Sequence, residues 1–293
     1  MYELRQVGRQ TYYVDCPAKI GIYAQTERDI YLIDSGNDRE AAKKVLRMAD
    51  ARGWSVRGIL NTHSHADHIG GNAHIQAKTG CPIFCAGAEA GFTGHPFLEP
   101  SFLFGGYPCV ALRNKFLMAR ESAVQDLASP DFPQEIEAIP LPGHSFDMVG
   151  FRIPDGTVFL ADSLCSPDTL RKYGIPFLYD VAAHLATLAA LPALPGSIFV
   201  PSHAEPCADP APLAALNREN VLETERLLRH ICAVPRTFDQ ILAEVFRHFR
   251  LNMNLGQYAL VGSTVRSFLA WMADSGAVTH SAADSLLLWH TVE

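Results

Sequence analysis

The sequence predicts an α/β protein in which two β-sheets pack face to face with helices on their outer faces, an αββα four-layer sandwich, followed by a small C-terminal helical module. Three observations lead there. Strand-like and helix-like stretches alternate in two similar rounds, over residues 11–85 and 136–205. Histidine and aspartate recur where the apolar strand-like runs end. After residue 208 the pattern changes to amphipathic helices. Sheets with one face to bury and helices to cover the other settle into layers of this kind. The division expected is residues 1–208 for the layered domain and 209–293 for the module.

In the first round, residues 11–15, 19–25 and 30–33 are rich in Tyr, Ile and Val and are broken by Cys16-Pro17 and Glu27-Arg28, which reads as an antiparallel meander. Residues 38–51 carry helical periodicity that stops at Gly53. A short apolar strand over 56–61 runs into a histidine-rich loop, then a helical stretch to Lys78, then a buried strand over 81–85. Residues 86–134 show little regular pattern, with Gly, Pro and aromatics crowded into 91–97 and 102–108. A long irregular excursion inside a compact domain is uncommon and often functional, so it is expected to be a lid or pocket wall.

The second round has strands over 136–141, 148–153 and 157–161, with Pro154-Asp155-Gly156 as a hairpin turn, a helix over 181–191 and a strand over 197–201. Residues 206–212 form a Pro- and Ala-rich break before an amphipathic helix over 213–229. Helices over 238–249 and 260–275 and a hairpin from 277–280 and 285–290 follow, the element order of a winged helix. A recognition helix needs a basic face, whereas 260–275 carries Arg266 as its only cation. The module is therefore expected to serve packing, or a homodimer contact, in preference to nucleic acid.

Composition narrows the function classes. With 48% hydrophobic and 19% charged residues over 293 positions, the chain can bury a sizeable core. The net charge of −7 and the lack of a Lys/Arg cluster argue against a nucleic-acid backbone as partner. No apolar run reaches the roughly 18 residues of a membrane span. Met1-Tyr2-Glu3-Leu4-Arg5 lacks the basic end and apolar run of a signal peptide, so a soluble cytoplasmic protein is expected. The seven cysteines form no CxxC pair and read as reduced, mostly buried thiols, not as zinc ligands.

The chemistry concentrates in Asn61-Thr62-His63-Ser64-His65-Ala66-Asp67-His68-Ile69-Gly70-Gly71. Residues two apart diverge on a helix but point the same way on an extended strand end, so His63 and His65 face one point. Asp67 and His68 stand where the next helix would begin, turned to a neighbouring point. One loop cannot complete two metal sites, and three candidates arrive from elsewhere: His144 after strand 136–141, Asp162 after strand 157–161, and His203 after strand 197–201. Strand ends at one rim of a sandwich converge. Seven His and Asp ligands without cysteine leave open positions, the catalytic arrangement, whereas a structural zinc site closes four ligands and favours cysteine. Gly70 and Gly71 leave room for close backbone packing behind the loop, and Thr62, Ser64 and Ser145 are candidates to steady the imidazoles.

Asp34 in Ile33-Asp34-Ser35-Gly36, the THxHxDHxGG stretch at 62–71, Pro142-Gly143-His144, Leu160-Ala161-Asp162 and Ser202-His203 together resemble the metallo-beta-lactamase fold superfamily across residues 10–205. The resemblance implies a first metal on His63, His65 and His144, a second on Asp67, His68 and His203, Asp162 bridging both, and Asp34 holding the loop. It implies two zinc ions, with Fe or Mn as alternatives; His65, where diiron relatives typically carry a carboxylate, argues for zinc. The expected reaction is hydrolysis by a metal-bridging hydroxide, with Asp67 orienting it and relaying a proton. A small acyl substrate, thioester or lactone, is expected. The hydroxyacylglutathione hydrolases are the comparison at hand, although no basic site for the glutathione carboxylates is visible. The alternative is a phosphodiesterase or nuclease, and a non-enzymatic binding protein stands last.

Overall fold

A computed structural model describes residues 2–292. Its first four strands, β1 (Glu3–Gln6), β2 (Thr11–Asp15), β3 (Ile20–Ala24) and β4 (Asp29–Ile33), form an antiparallel meander. Side chains alternate between its two faces. Val14, Ile20, Ile22, Ile30 and Leu32 face outward to helices, while Tyr13, Tyr23 and Ile33 face the second sheet, as a sheet buried on both sides requires. Helix α1 (Arg39–Ala51) starts where the Asp38 carboxylate accepts the Glu40 and Ala41 amides. It lays Ala41, Ala42, Val45 and Ala49 on the sheet and ends ahead of Gly53, which adopts a left-handed φ of 68°.

Strand β5 (Ser55–Leu60) returns parallel to β4 and delivers the chain to the short helix α2 (Ala66–Ile69) and then α3 (Asn72–Thr79). β6 (Ile83–Cys85) extends the sheet in parallel. The stretch 86–134 is more regular than its composition suggests. It contains α4 (Gly87–Gly94), α5 (Leu98–Phe104), a short 3₁₀ turn at Val110–Leu112, and β7 (Gln125–Asp126), which completes the seven-stranded sheet. Glycine and proline masked these helices because one is bounded by glycines and the other carries Pro100 in its first turn, where proline is tolerated.

The second sheet is four-stranded: β8 (Glu137–Pro140), β9 (Val149–Arg152) and β10 (Thr157–Cys165) run antiparallel, and β11 (Ile198–His203) joins β10 in parallel after α6 (Pro167–Tyr173) and α7 (Val181–Ala190). Two strands run further than the sequence predicts. Asp162 lies inside β10 and His203 closes β11, so neither follows its strand as expected. Period-2 apolar patterning ends at Ala161, but hydrogen bonding to β11 resumes past an irregularity there, and only the folded partner strand supplies that. β1 and α6 also escape the sequence reading; β1 is four mostly exposed polar-rich residues.

The inner faces of the two sheets meet through Tyr13, Ile33, Leu60 and Phe84 against Ile136, Phe151, Phe159 and Val200. The outer face of the second sheet, Ile139, Leu141, Val158, Leu160 and Phe199, packs on Leu188 and Leu191 and on Ala214 of α8 (Ala211–Ile231). That completes the predicted αββα layers. Beyond α8 lie α9 (Phe238–His248), α10 (Leu255–Asp274) and the exposed hairpin β12 (Val278–Ala283) and β13 (Leu286–Thr291). α9 opens on a capping box from Thr237 and Gln240. α10 starts five residues earlier than predicted because Asn254 caps it by accepting the Gln257 amide, a signal weaker than the apolar run beginning at Leu260. Ile175, Leu178 and Val181 share one core with α8, α9 and α10. No helix among the described residues is long and apolar enough to cross a membrane.

Candidate metal centre

All seven residues singled out from the sequence meet at one rim of the sandwich. His63, His65 and His144 present ring nitrogens that lie within 4.8 Å of one another, as do the donor atoms of Asp67, His68 and His203 and those of His63, His68 and Asp162. His63 Nε2 and His144 Nε2 each stand 3.0 Å from His65 Nδ1. A tetrahedral ion at the usual nitrogen distance of roughly 2.0–2.1 Å keeps its donors about 3.3 Å apart. Asp162 sits between the groups: Oδ1 is 3.1 Å from His68 Nε2, and Oδ2 is 3.2 Å from His203 Nε2 and 3.5 Å from His144 Nε2.

The local fold explains the convergence. β5 carries the chain to His63, where its extended course aims both His63 and His65 inward. Asp67 and His68 ride on the single turn of α2. Behind that turn, a Cβ on Gly70 would meet the Asn37 backbone at 2.4 Å, and one on Gly71 would meet Ser35 O at 2.3 Å. The two glycines therefore let α2 press against the Asp34–Asn37 loop, as the sequence suggested. Ala161 adopts a left-handed φ of 50°, costly for alanine, at the irregularity that turns Asp162 toward the rim. Gly143 holds a φ of 119°, and a Cβ there would strike the His184 backbone nitrogen at 2.2 Å.

Partners on the far side of the imidazoles hold them in place. Asp34, itself in a left-handed conformation, accepts from the Thr62 amide and hydroxyl at 2.8 Å and lies 2.8 Å from His68 Nδ1. Thr62 Oγ1 stands 3.0 Å from His63 Nδ1, and the Pro17 carbonyl 2.9 Å from His203 Nδ1. Glu99 Oε1 is 3.6 Å from His65 Nε2. Ser64 and Ser145 hydrogen-bond to none of the clustered imidazoles; both bind the carboxylate of Glu89, which is fully buried. Glu89 and Glu99 were invisible in the sequence, where they stand singly in an irregular segment. Phe177, which carries no site signal in the sequence, packs edge-on against both His65 and His144.

Electrostatics mark the same cluster. Burial pulls the His63 imidazole well below its usual range, helped by His68 and His65, and pulls His144 down to about 3. Burial also opposes a charge on His68 and His203, yet Asp162 and Asp67, with Asp34 on His68, outweigh it and hold both imidazoles well above the usual range. Surrounding protein disfavours ionised Asp162, and ionised Asp67 despite its open side, but the neighbouring His68 and His203 keep both carboxylates well below their ordinary values. The carboxylates thus create a negative potential at the cluster, which favours a cation there.

The residues fit divalent ions on a further observation. His68 Nε2 and Asp162 Oδ1 are buried and find no hydrogen-bond partner of good geometry among the described residues. Orphaned buried donors and acceptors are rare and call for an explanation; an ion between them supplies one. Nitrogen and carboxylate donors without cysteine suit Zn, Fe or Mn. The side chain of Asp67 is 44% exposed and that of His203 22%, so the cluster opens to solvent on that side.

The family described as the metallo-beta-lactamase superfamily matches residues 16–203. A hydroxyacylglutathione hydrolase from Methylococcus capsulatus is 31% identical over 163 residues, covering 53% of this chain and 52% of that protein; the match spans about half the length of such relatives. Among solved structures, a metallo-beta-lactamase family protein from Thermus thermophilus aligns with a TM-score of 0.73 at 18% identity, covering 97% of this chain and 99% of that one. A beta-lactamase domain protein from Burkholderia ambifaria aligns with the same TM-score at 15% identity, covering 99% of this chain and 94% of that one.

Proposed function

Since this chain belongs to the metallo-beta-lactamase superfamily, we propose that it is a binuclear metal-dependent hydrolase acting on a small acyl compound, a thioester or a lactone. The observation that carries this reading is the convergence of seven cysteine-free donors on one solvent-open rim, with His68 Nε2 and Asp162 Oδ1 buried 3.1 Å apart and without a hydrogen bond of good geometry among the described residues. His63, His65 and His144 would hold one ion, Asp67, His68 and His203 the other, and Asp162 both. The chemistry such ions supply when bound is a water acidified toward neutral pH and a polarised scissile carbonyl.

The chain's own residues supply orientation and proton handling. Asp67, ionised and open to solvent on one side, orients the attacking water and takes its proton for delivery to the leaving group. Asp34 and Pro17 O keep His68 and His203 turned inward by their outer nitrogens. Phe177 packs with Leu103, Leu112 and Leu260 beside His65 and His144. It thereby dries that side of the centre and offers an apolar wall to an acyl group. The name carried by the relatives makes an acyl-glutathione thioester the first substrate to try.

The test is a side-by-side hydrolysis assay of zinc-loaded protein on a thioester, a lactone and a phosphodiester, with His65→Ala as control. Turnover of the thioester or lactone that His65→Ala lacks is the expected result. Phosphodiester turnover alone overturns the substrate class.

A further inference from the structure

Glu89 lies on α4, outside the segments that supply the candidate ligands, yet it reaches both loops of the His63/His65/His144 group. Its Oε2 accepts from the Ser64 amide at 2.9 Å and the Ser64 hydroxyl at 2.5 Å, between the two ligands His63 and His65. Its Oε1 accepts from the Ser145 hydroxyl at 2.5 Å and the Asp147 amide at 3.1 Å, immediately after His144. Each carboxylate oxygen therefore serves one loop. The tie is returned from the other end, because the Ala88 amide donates to Asp147 Oδ2 at 2.7 Å. A Cβ on Gly87 would collide with that carboxylate at 2.3 Å.

Glu89 is fully buried and pairs with no Lys, Arg or His among the described residues. An ionised carboxylate in such a place is costly unless donors fill its lone pairs, and here four do. A glutamine could not replace it on equal terms, since its amide nitrogen cannot accept from either loop. The other ligand group does not use this clamp: His68 is held by Asp34 and His203 by the Pro17 carbonyl.

We propose that Glu89 is a positioning residue that clamps the 62–65 and 144–147 loops together and so sets the metal affinity of the His63/His65/His144 group selectively, leaving the Asp67/His68/His203 group to Asp34 and Pro17. The inference rests on the metal-centre reading above. It places Glu89 beside Asp34 as a second buried carboxylate behind the centre, Asp34 meeting the outer nitrogen of His68 directly and that of His63 through Thr62.

The test is zinc titration of the metal-free full chain against a chelating dye, for wild type, Glu89→Gln, Glu89→Ala and Ser145→Ala, with thermal melting of each metal-free protein. Cobalt loading adds a visible spectrum of the ligand field. Glu89→Gln is expected to weaken one of two zinc equivalents by about 10–100-fold, the usual effect of losing an outer partner, and to leave the other within about threefold. Ser145→Ala, which removes one of the four donors, should weaken the same equivalent by a smaller factor and read the clamp even if Glu89→Ala does not fold. Equal weakening of both equivalents overturns the selectivity and makes Glu89 a general scaffold. Two equivalents of unchanged affinity in Glu89→Gln overturn the clamp alone. A wild-type chain that takes up no zinc overturns the metal-centre reading itself, and the clamp falls with it.

Discussion

Asp34 and His65 illustrate how single residues act at this rim. Asp34 is 2% exposed and satisfies three donors or ring nitrogens at once, two from Thr62 and one from His68. Replacing it by alanine strands all three in the interior, so Asp34→Ala should lose about 3 kcal/mol of stability and weaken metal binding together; urea melts of metal-free and loaded protein check both. A variant as stable as wild type would mean the buried partners find water. His65 has no such scaffolding duty toward the backbone. His65→Ala should keep the metal-free melting temperature within a few degrees yet lose one metal equivalent and nearly all hydrolysis, about 10³-fold or more if the ions carry the chemistry. His65 was legible because HxHxDH compresses four candidate ligands into one short loop, whereas Asp34 was legible only through the family resemblance. Glu89 was not, because a lone glutamate in a Gly- and Ala-rich stretch resembles any other surface carboxylate until the fold buries it.

At the scale of elements, the turn before His144 carries the tightest constraint. Gly143 touches the first turn of α7, which begins at Val181, and no side chain fits between them. Gly143→Ala must push α7 and the His144 loop apart, and should lower metal affinity at least as far as a lost outer partner does, about tenfold; calorimetric zinc titration reads it. α7 also carries His184, which burial alone pulls down to about 4. A folded-state value below the unfolded one, about 6.5, means the unfolded chain takes up the proton first as pH falls. The contribution to stability is then whole above about pH 6.5 and is lost progressively down to about pH 4, amounting to at most about 3 kcal/mol. Urea melts of wild type and His184→Leu at pH 7.5 and 4.5 isolate it: the variant's stability should fall less. Parallel losses would sink the assignment. Element types were readable from periodicity, since 2-residue and 3.6-residue patterns are local. Their ends were not, as the extension of β10 through Asp162 depends on pairing with β11.

At the scale of the whole molecule, the question is whether residues 209–293 form a unit of their own. Ile175, Leu178 and Val181 share a core with Val221, Leu242, Val265 and Phe268, and cutting at residue 208 would expose that surface to water. Each such side chain is worth about 1.5–3 kcal/mol of burial, more than a domain's usual margin when several are lost. A chain ending at 208 is therefore expected to aggregate or melt without cooperativity. A cooperative melt with zinc bound would instead show an independent layered domain. Metal removal acts on the same scale: a chelator should lower the melting temperature, because ions that bind only the folded state stabilise it by mass action.

By itself the sequence determined the layered α/β class and the His and Asp residues that converge at one rim, though not where their strands end, because hydrophobic period and short-range spacing are properties of the local chain. Only the tertiary structure decided which outer partners hold the imidazoles, that two short helices bring Glu89 and Glu99 to the site, and that Phe177 packs against it. Those choices depend on burial and on contacts between segments far apart in the chain, and a carboxylate or an aromatic ring acquires its role from what surrounds it after folding.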